Sequence, residues 1–409
     1  MTALLIESLV KIAVLIFGLL TAAAYLVLLE RRVAAWVQDR LGPNRVGIPL
    51  TRIRLFGLGQ PLADGVKFLL KEAFTPSQVD RVLYVLAPIS ILVAALVVFA
   101  VIPIGSVLPP LSSSPDAKPI PLVVAPGLNV GMLFVLAVGS VAVYGVILGG
   151  WASNNKYSFL GALRSSAQLI AYELPLGLGV LGVVLAAGSL DLNEIIRRQA
   201  ESGLWFAIAQ PLGFLVFAVA AFAEAARLPF DLPEAEQELI GGYHTEYGGI
   251  KLLLFLVAEF LHMVAAAFLI VILFLGGWHF WGLTGAGDSV TWPVALLRVF
   301  VLWVKVGGVI LFFMLVRWSW PRFRFDQLMA LAWKVMLPMG IVNVVAVAVL
   351  DELREPLARM LGSAASAAIV LAAWAICVAA WVVAALCDPL VADNRPRRDL
   401  APYEIDTQI

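Results

Sequence analysis

The chain has 409 residues, of which 62% are hydrophobic and only 14% are charged. Soluble domains average about 45–50% apolar and about 25% charged residues, so this composition excludes an ordinary soluble fold. Lys plus Arg and Asp plus Glu balance at 28 each, and the two cysteines and three histidines show no zinc, iron–sulfur or haem spacing. We therefore expect no metal site, no redox centre and no nucleic-acid partner.

Long apolar runs recur along the whole chain. A membrane-spanning helix needs about 20 apolar residues. Nine runs approach or exceed that length: residues 8–29, 82–106, 126–151, 159–188, 204–226, 250–277, 292–317, 327–350 and 366–387. The prediction is an all-α polytopic membrane protein with one transmembrane domain over residues 1–387 and a polar tail over 388–409. The start of the chain lacks the features of a cleaved signal peptide, so the first run is predicted to remain as a helix.

The basic residues of the connecting segments predict an orientation. One side collects 20 of the 28 Lys and Arg residues, whereas the opposite side holds seven. Because positive loops stay in the cytoplasm, the richer side is predicted to be cytoplasmic. This places the N-terminus outside and the tail 388–409 inside.

Two connecting segments have the pattern of interfacial helices. Residues 57–74 place Leu62, Val66 and Leu69 on one helical face, with charged residues elsewhere. Residues 189–201 alternate apolar and charged side chains, and Ser189 is the predicted N-cap. A simple surface helix between two spans is the alternative for 57–74.

Ionisable side chains within or at the ends of the apolar runs are costly and indicate function by default. Five stand out: Glu30, Glu173, Glu224, Glu259 and Lys305. Carboxylates on separate spans, connected by water, would form a proton path. For each residue alone, an ion pair between helices is the alternative.

The connection at residues 227–249 is acidic although it lies on the basic side. Its carboxylates are Asp231, Glu234, Glu236, Glu238 and Glu246. Prolines and aromatic residues lie between them, which predicts an ordered and partly buried loop rather than a solvated charge run.

Five segments of the chain carry a resemblance to a known family. They are ERRVAAWVQDRLGPNRVG (30–47), QPLADGVKFLLKE (60–72), AQLIAYELPLG (167–177), FAEAARLPFDLPEAEQELIGGYHTEYGGIK (222–251) and WPRFRFDQLMALAWK (320–334). They resemble the hallmark segments of the quinone-channel or heel subunit (the H subunit) of bacterial proton-pumping NADH–quinone oxidoreductase, respiratory complex I. The resemblance extends in order over about three-quarters of the chain.

The resemblance implies a role for each group of residues. The wall of a quinone tunnel would include Arg31, Ala34, Asp64, Phe230 and Asp231. A path coupling quinone reduction to proton transfer would include Glu30, Glu173, Glu224, Glu234, Glu236, Glu238, Glu246, Glu259 and Lys305. Docking to the soluble arm of the complex would use Arg317, Arg322 and Arg324. FMN and iron–sulfur clusters would belong to partner subunits, with antiporter-like subunits beside this chain in the plasma membrane and quinone as the substrate.

One departure and two alternatives accompany this resemblance. The family core usually has eight spans, so the uncharged run 366–387 is an additional, peripheral helix. The same membrane module occurs in F420H2–quinone oxidoreductases and membrane-bound hydrogenases, which differ in the electron source. A free-standing ion transporter is disfavoured, because the chain lacks the two matching halves with broken helices that such folds show.

Overall fold

The computed structural model describes residues 2–47, 56–110, 119–232, 236–285 and 290–387, and the predicted tail 388–409 lies outside these ranges. The helices are α1 Thr2–Val37, α2 Gln60–Leu70, α3 Arg81–Val97, α4 Gly131–Ala152, α5 Lys156–Ala187, α6 Leu192–Ser202, α7 Phe206–Ala209, α8 Pro211–Glu224, α9 Glu236–Leu239, α10 Gly249–Phe274, α11 Trp281–Thr284, α12 Trp292–Ser319, α13 Phe325–Ala330, α14 Leu337–Glu352, α15 Arg354–Leu361 and α16 Ala365–Cys387. A π-helical segment, Leu331–Met336, joins α13 to α14. The strands β1 Val107–Leu108 and β2 Ile120–Pro121 pair in antiparallel register.

Eight helical stretches of the described chain are long and apolar enough to cross a membrane. They are Ile6–Val37, Arg81–Ala100, Gly131–Ala152, Lys156–Ala187, Gly249–Phe274, Trp292–Ser319, Phe325–Glu352 and Ala365–Leu386. They confirm the all-α polytopic architecture and include the predicted additional helix at 366–387.

The predicted span 204–226 does not form one long helix, so the predicted number of nine spans is approximate. The chain leaves helical geometry at Gln210 (φ −134°, ψ 65°) and restarts at Pro211, so α7 and α8 are separate helices. Proline is favoured at such a restart because its fixed φ suits the first helical turn. At 1.5 Å per residue, the 14 residues of α8 extend about 21 Å, less than the hydrocarbon thickness of about 30 Å.

Helix α10 forms the centre of the bundle. Its sequence is apolar on nearly every face, which is typical of a helix surrounded by protein. In the most apolar stretch of 18 residues in α10, 78% of the residues are buried inside the protein. The corresponding share in α16 is 11%. Helix α16 therefore lies at the periphery, as predicted, whereas α10 positions side chains for the interior.

The two predicted interfacial helices differ in how their apolar faces are covered. In α6, Leu192, Ile195 and Ile196 are fully buried by protein, whereas α2 contains no buried residue. The predicted N-cap of α6 was wrong. Asp191, not Ser189, caps the helix by accepting a hydrogen bond from the backbone N–H of Asn193 (2.9 Å), because the helix begins two residues later than expected.

Candidate functional site

A wide cavity of about 630 Å³ lies between α1, α2, α10 and α12. Arg31, Ala34 and Asp64, three of the five predicted tunnel residues, line it. Leu253, Leu256, Val257 and Phe260 of α10 form an apolar wall. The cavity therefore combines an apolar wall with charged side chains, and we call it the wide cavity.

The polar edge of the wide cavity holds α2 against α1. Arg31 Nη1 donates to Asp64 Oδ2 at 2.8 Å, and Gln60 Nε2 donates to Asp64 Oδ1 at 3.0 Å. Asp64 thus accepts from both helices. Gln60 and Asp64 both belong to α2, so the Arg31–Asp64 pair is the contact of the two that joins α2 to α1.

Phe230 and Asp231, the other two predicted tunnel residues, are buried beside the wide cavity and are not among its lining residues. The Phe230 ring packs on Phe323 at a centroid distance of 5.5 Å, and Asp231 Oδ2 accepts from Arg322 Nη2 at 3.0 Å. The backbone carbonyl of Phe230 accepts from Gln168 Nε2 at 2.7 Å. These contacts hold the start of the acidic loop in place.

Arg227 connects two of the predicted acids across the bundle. Its Nη1 lies 3.4 Å from Glu30 Oε2, its Nε lies 3.0 Å from Glu259 Oε1, and its guanidinium is 4.3 Å from the ring centre of Phe260. Arg317 also donates to Glu30. Two arginines and two glutamates therefore balance one another in a buried network.

A smaller cavity of about 80 Å³ lies deeper in the bundle, and we call it the inner cavity. Glu173, Glu224 and Glu259 line it together with His262 and other residues of α3, α4, α5 and α10. Ser140 donates a hydrogen bond to Glu173. The volume exceeds the minimum of about 10–15 Å³ that a water molecule needs, and the three carboxylates, Ser140 and His262 give a water polar partners within a largely apolar lining. Glu259 lines both the inner and the wide cavity.

Glu238 and Glu246, two further acids of the loop, lie outside both cavities. Glu246 Oε1 accepts from Asn155 Nδ2 at 2.6 Å, and Glu238 pairs with Arg164. Glu234 lies outside the described residues, and for Glu236 the structure describes only its place in α9. Glu238 and Glu246 therefore pair with residues outside the two cavities, whereas Asp231 is buried.

Two titratable loop residues are held by apolar packing. Burial lowers the pKa of His244 to about 4, so this imidazole is neutral at pH 7. Burial, and then the neighbouring Tyr84, raise the pKa of Tyr247. The Tyr84 and Tyr247 rings stack at a centroid distance of 4.2 Å, which holds the end of the loop at Tyr247 against α3.

Lys305 is surrounded by backbone carbonyl groups and aromatic rings, unlike the acids described above. Its Nζ donates to the backbone carbonyls of Leu275 (2.6 Å), Gly277 (3.1 Å) and His279 (2.6 Å), and it lies 4.3 Å from a Trp205 ring centre. Leu275 is the C-cap of α10 and the other two residues lie in the turn that follows, so this ammonium holds the end of α10 and that turn together. Lys305 does not line the wide or the inner cavity.

The three predicted docking arginines are also placed differently from one another. Arg317 and Arg322 pair internally with Glu30 and Asp231, whereas Arg324 is exposed. Among the described residues, no group of three or more His, Cys, Asp or Glu side chains is arranged to hold a metal ion.

Arg227 was not among the predicted site residues, although it lies three positions after Glu224. The signal for it was an arginine directly after an apolar run that already contained an acid. Its two partners, Glu30 and Glu259, are distant in sequence, so local spacing did not indicate the pairs.

The family model and the related proteins that match this chain all indicate the same family. Residues 10–348 match the family described as NADH dehydrogenase. The chain is 47% identical over 336 residues to the H 1 subunit of NADH-quinone oxidoreductase from Geobacter metallireducens, which covers 82% of this chain and 94% of that protein. It is 45% identical over 361 residues to NADH-quinone oxidoreductase subunit 8 of Thermus thermophilus, which covers 88% and 91%. The H 2 subunit of the same enzyme from Koribacter versatilis is 42% identical over 366 residues, which covers 86% and 98%.

Proposed function

This chain belongs to the H-subunit family of NADH–quinone oxidoreductases, and from this premise we propose how its two cavities act. It is a membrane subunit of an oxidoreductase complex. In the proposal, the wide cavity admits a quinone from the bilayer, and the inner cavity carries protons whose transfer is coupled to quinone reduction. Partner subunits with FMN and iron–sulfur clusters supply the electrons.

The dimensions and lining of the wide cavity support the quinone assignment. Ligand sites usually enclose about 300–1,000 Å³ and combine apolar walls with a few polar groups. At about 630 Å³ the wide cavity falls in that range, with α10 as its apolar wall and the Arg31–Asp64 pair at its edge. The isoprenoid tail of a quinone would pack against the apolar wall of α10. The quinone headgroup would pass the Arg31–Asp64 pair towards the cytoplasmic side.

The observation that carries the proposal is that Glu259 lines both cavities and is paired with Arg227, which also pairs with Glu30. Quinone reduction takes up two electrons and two protons and passes through anionic states. A negative charge in the wide cavity would attract Arg227 and weaken its hold on Glu259, because charges interact strongly in a partly desolvated site. Glu259 would then take up a proton and pass it through water towards Glu224 and Glu173.

The acidic loop is the proposed gate of this path. Its first residues lie against the wide cavity through Arg227, and its buried Asp231 is fixed by Arg322. A change in quinone charge would bias the loop conformation, and the loop carboxylates Glu234, Glu236, Glu238 and Glu246 would sense that change. The exposed Arg324 would contact the soluble arm. Arg317 and Arg322 would stabilise this docking surface from inside the subunit through their pairs with Glu30 and Asp231.

The experiment uses the whole complex in native membranes. We expect Glu224→Gln and Glu234→Gln to lower NADH–quinone reductase activity while NADH–ferricyanide activity and assembly are retained. Glu355→Gln is the matched control, because that carboxylate is 82% exposed on α15 and lies outside both cavities. Normal quinone reduction and normal proton translocation in Glu224→Gln would contradict the proposal. Mass spectrometry of the purified complex would identify the electron-input subunits.

A further inference from the structure

A third cavity lies at the end of the bundle opposite α2, away from the site proposed above. It has a volume of about 390 Å³ and is bounded by α6, α7 and the adjoining ends of α14, α15 and α16. Helices α15 and α16 follow residue 348, where the family match stops. The role inferred below is therefore independent of the quinone and proton proposal.

The lining of this third cavity is divided into a charged and an apolar part. Its charged side chains come from α6 and from the α14–α15 turn: Arg198, Glu201, Asp351 and Arg354. Phe206, Val347 and Ile369 contribute to the apolar part. Two arginines and two carboxylates carry no net charge together, so they are complementary to a headgroup that bears both signs. The apolar part is complementary to a hydrocarbon chain.

Gln210 adds an observation that itself points to a ligand. Its side chain lines the third cavity and is only 6% exposed, yet its Oε1 accepts no hydrogen bond within the described chain. Buried polar atoms are nearly always paired, and an unpaired acceptor costs free energy. Gln210 lies at the break between α7 and α8, which places this residue at the cavity wall.

The wall around Gln210 is held by contacts on two sides. Trp374 Nε1 donates to the carbonyl of Ile208 at 3.1 Å, which ties α16 to the break. On the other side, Arg198 Nε lies 3.2 Å from Glu194 Oε1, which holds its guanidinium near the α6 surface. The cavity is thus formed before any ligand binds.

We propose that this third cavity binds one phospholipid whose headgroup carries a phosphate and a primary ammonium. Arg198 and Arg354 would donate to the phosphate, as arginine does in charge-assisted pairs. Glu201, Asp351 and the Gln210 carbonyl oxygen would accept from the ammonium. An acyl chain would then follow Val347 and Ile369 along α14 and α16. Since the protein lies in a bilayer, such a lipid is always close to the cavity.

The test uses the whole complex in nanodiscs that contain a phosphatidylethanolamine with a photoreactive diazirine in its acyl chain. Labelled peptides are mapped by mass spectrometry. We expect labelling to concentrate at residues 366–370 and 206–210 and to be displaced by unlabelled phosphatidylethanolamine better than by phosphatidylglycerol. The double variant Arg198→Ala/Arg354→Ala should lower this labelling about tenfold, because hydrogen bonds to charged groups are strong. Arg359→Ala, an exposed arginine on α15 outside the cavity, is the matched control and should leave it unchanged.

Three results would overturn the proposal. Labelling spread evenly along the exposed face of α16 and insensitive to competitor lipid would show only contact with bulk lipid. Displacement by soluble glycerophosphoethanolamine as effective as by the lipid would show a headgroup site without an acyl-chain site. Crosslinks from this cavity to another subunit would show a protein partner instead. The competition experiment needs no variant, so it decides the question even if the double variant fails to assemble.

Discussion

Arg227 and Lys305 are two cations enclosed by the same bundle, and they are neutralised in different ways. Arg227 lies between the carboxylates of Glu30 and Glu259 at 3.4 and 3.0 Å. Lys305 donates to three backbone carbonyls at 2.6 to 3.1 Å. Carboxylates gain and lose protons, whereas carbonyl groups do not titrate.

This difference separates a responsive contact from a fixed one. If Glu259 takes up a proton, its attraction for Arg227 falls and the guanidinium is free to favour Glu30 or an anion in the wide cavity. Lys305 keeps its three acceptors whatever the charge state of the acids. We therefore expect changes at Arg227 to alter coupling and changes at Lys305 to alter stability.

The largest expected effect is that of Arg227→Ala. Removing one partner of a buried ion pair typically costs about 3–5 kcal/mol, because the remaining charges are left uncompensated. We expect little assembled complex and at least a tenfold loss of NADH–quinone activity in membranes. Arg227→Lys keeps the charge without the forked geometry and should assemble better but stay impaired. Full activity of Arg227→Lys would show that a single point charge is sufficient.

Lys305→Met tests the fixed side of the comparison. The change leaves the carbonyls at the end of α10 without their donor, which should destabilise the subunit by about 1–3 kcal/mol. We expect the purified complex to lose activity at a lower temperature, while activity per assembled complex before heating stays near normal. Lys11→Met is the control, because Lys11 pairs with Glu7 by an i,i+4 contact of small energetic value. A selective loss of proton translocation without loss of stability would place Lys305 on the proton path instead.

Glu259→Gln tests the responsive contact directly, because glutamine has nearly the same size and shape as glutamate but does not titrate. The amide can still meet Arg227 but cannot carry a proton between the two cavities. We expect quinone-linked activity to fall about tenfold, equivalent to about 1.4 kcal/mol, with normal NADH–ferricyanide activity. Glu355→Gln, the exposed control, should stay within about twofold of the unmodified complex. Equal activities of the two variants in proton-pumping assays would remove Glu259 from the path.

The smallest effect is expected from His244 and depends on pH. The unfolded imidazole binds a proton below about pH 6.5, whereas the buried one does so only near pH 4. Stability of the loop should therefore fall as pH decreases between these values, by about 1–2 kcal/mol at pH 5 after allowance for partial exposure. His244→Gln should flatten the pH dependence of limited proteolysis in residues 227–249. Identical profiles for the two proteins would contradict this assignment.

The sequence predicted features that depend on composition over many residues. The long apolar runs identified eight spans, the helical spacing of Leu62, Val66 and Leu69 identified α2, and intramembrane acids such as Glu173 and Glu224 were visible as exceptions within apolar runs. These signals are local and strong, because a single charged residue within a span is costly.

The features that sequence analysis missed depend on distant partners or on one local conformation. The Arg227–Glu30 pair joins residues 197 positions apart, so no local spacing reveals it. The break at Gln210 depends on one residue leaving helical geometry inside a run of uniform hydropathy. Phe230 and Asp231 belong to the predicted segment, but their side chains turn into packing with Phe323 and Arg322.

The short helix α8 has a consequence for biogenesis. With only 14 residues, it is a poor substrate for independent insertion from the translocon, so it depends on neighbours that are already in the membrane. Helix α5, synthesised earlier, offers such a surface: a Cβ added to Gly179 would lie 3.0 Å from Cβ of Phe217, so the absent side chain permits close approach. Larger residues at Gly179 would therefore be expected to expose α8 to membrane quality control before α10 encloses it.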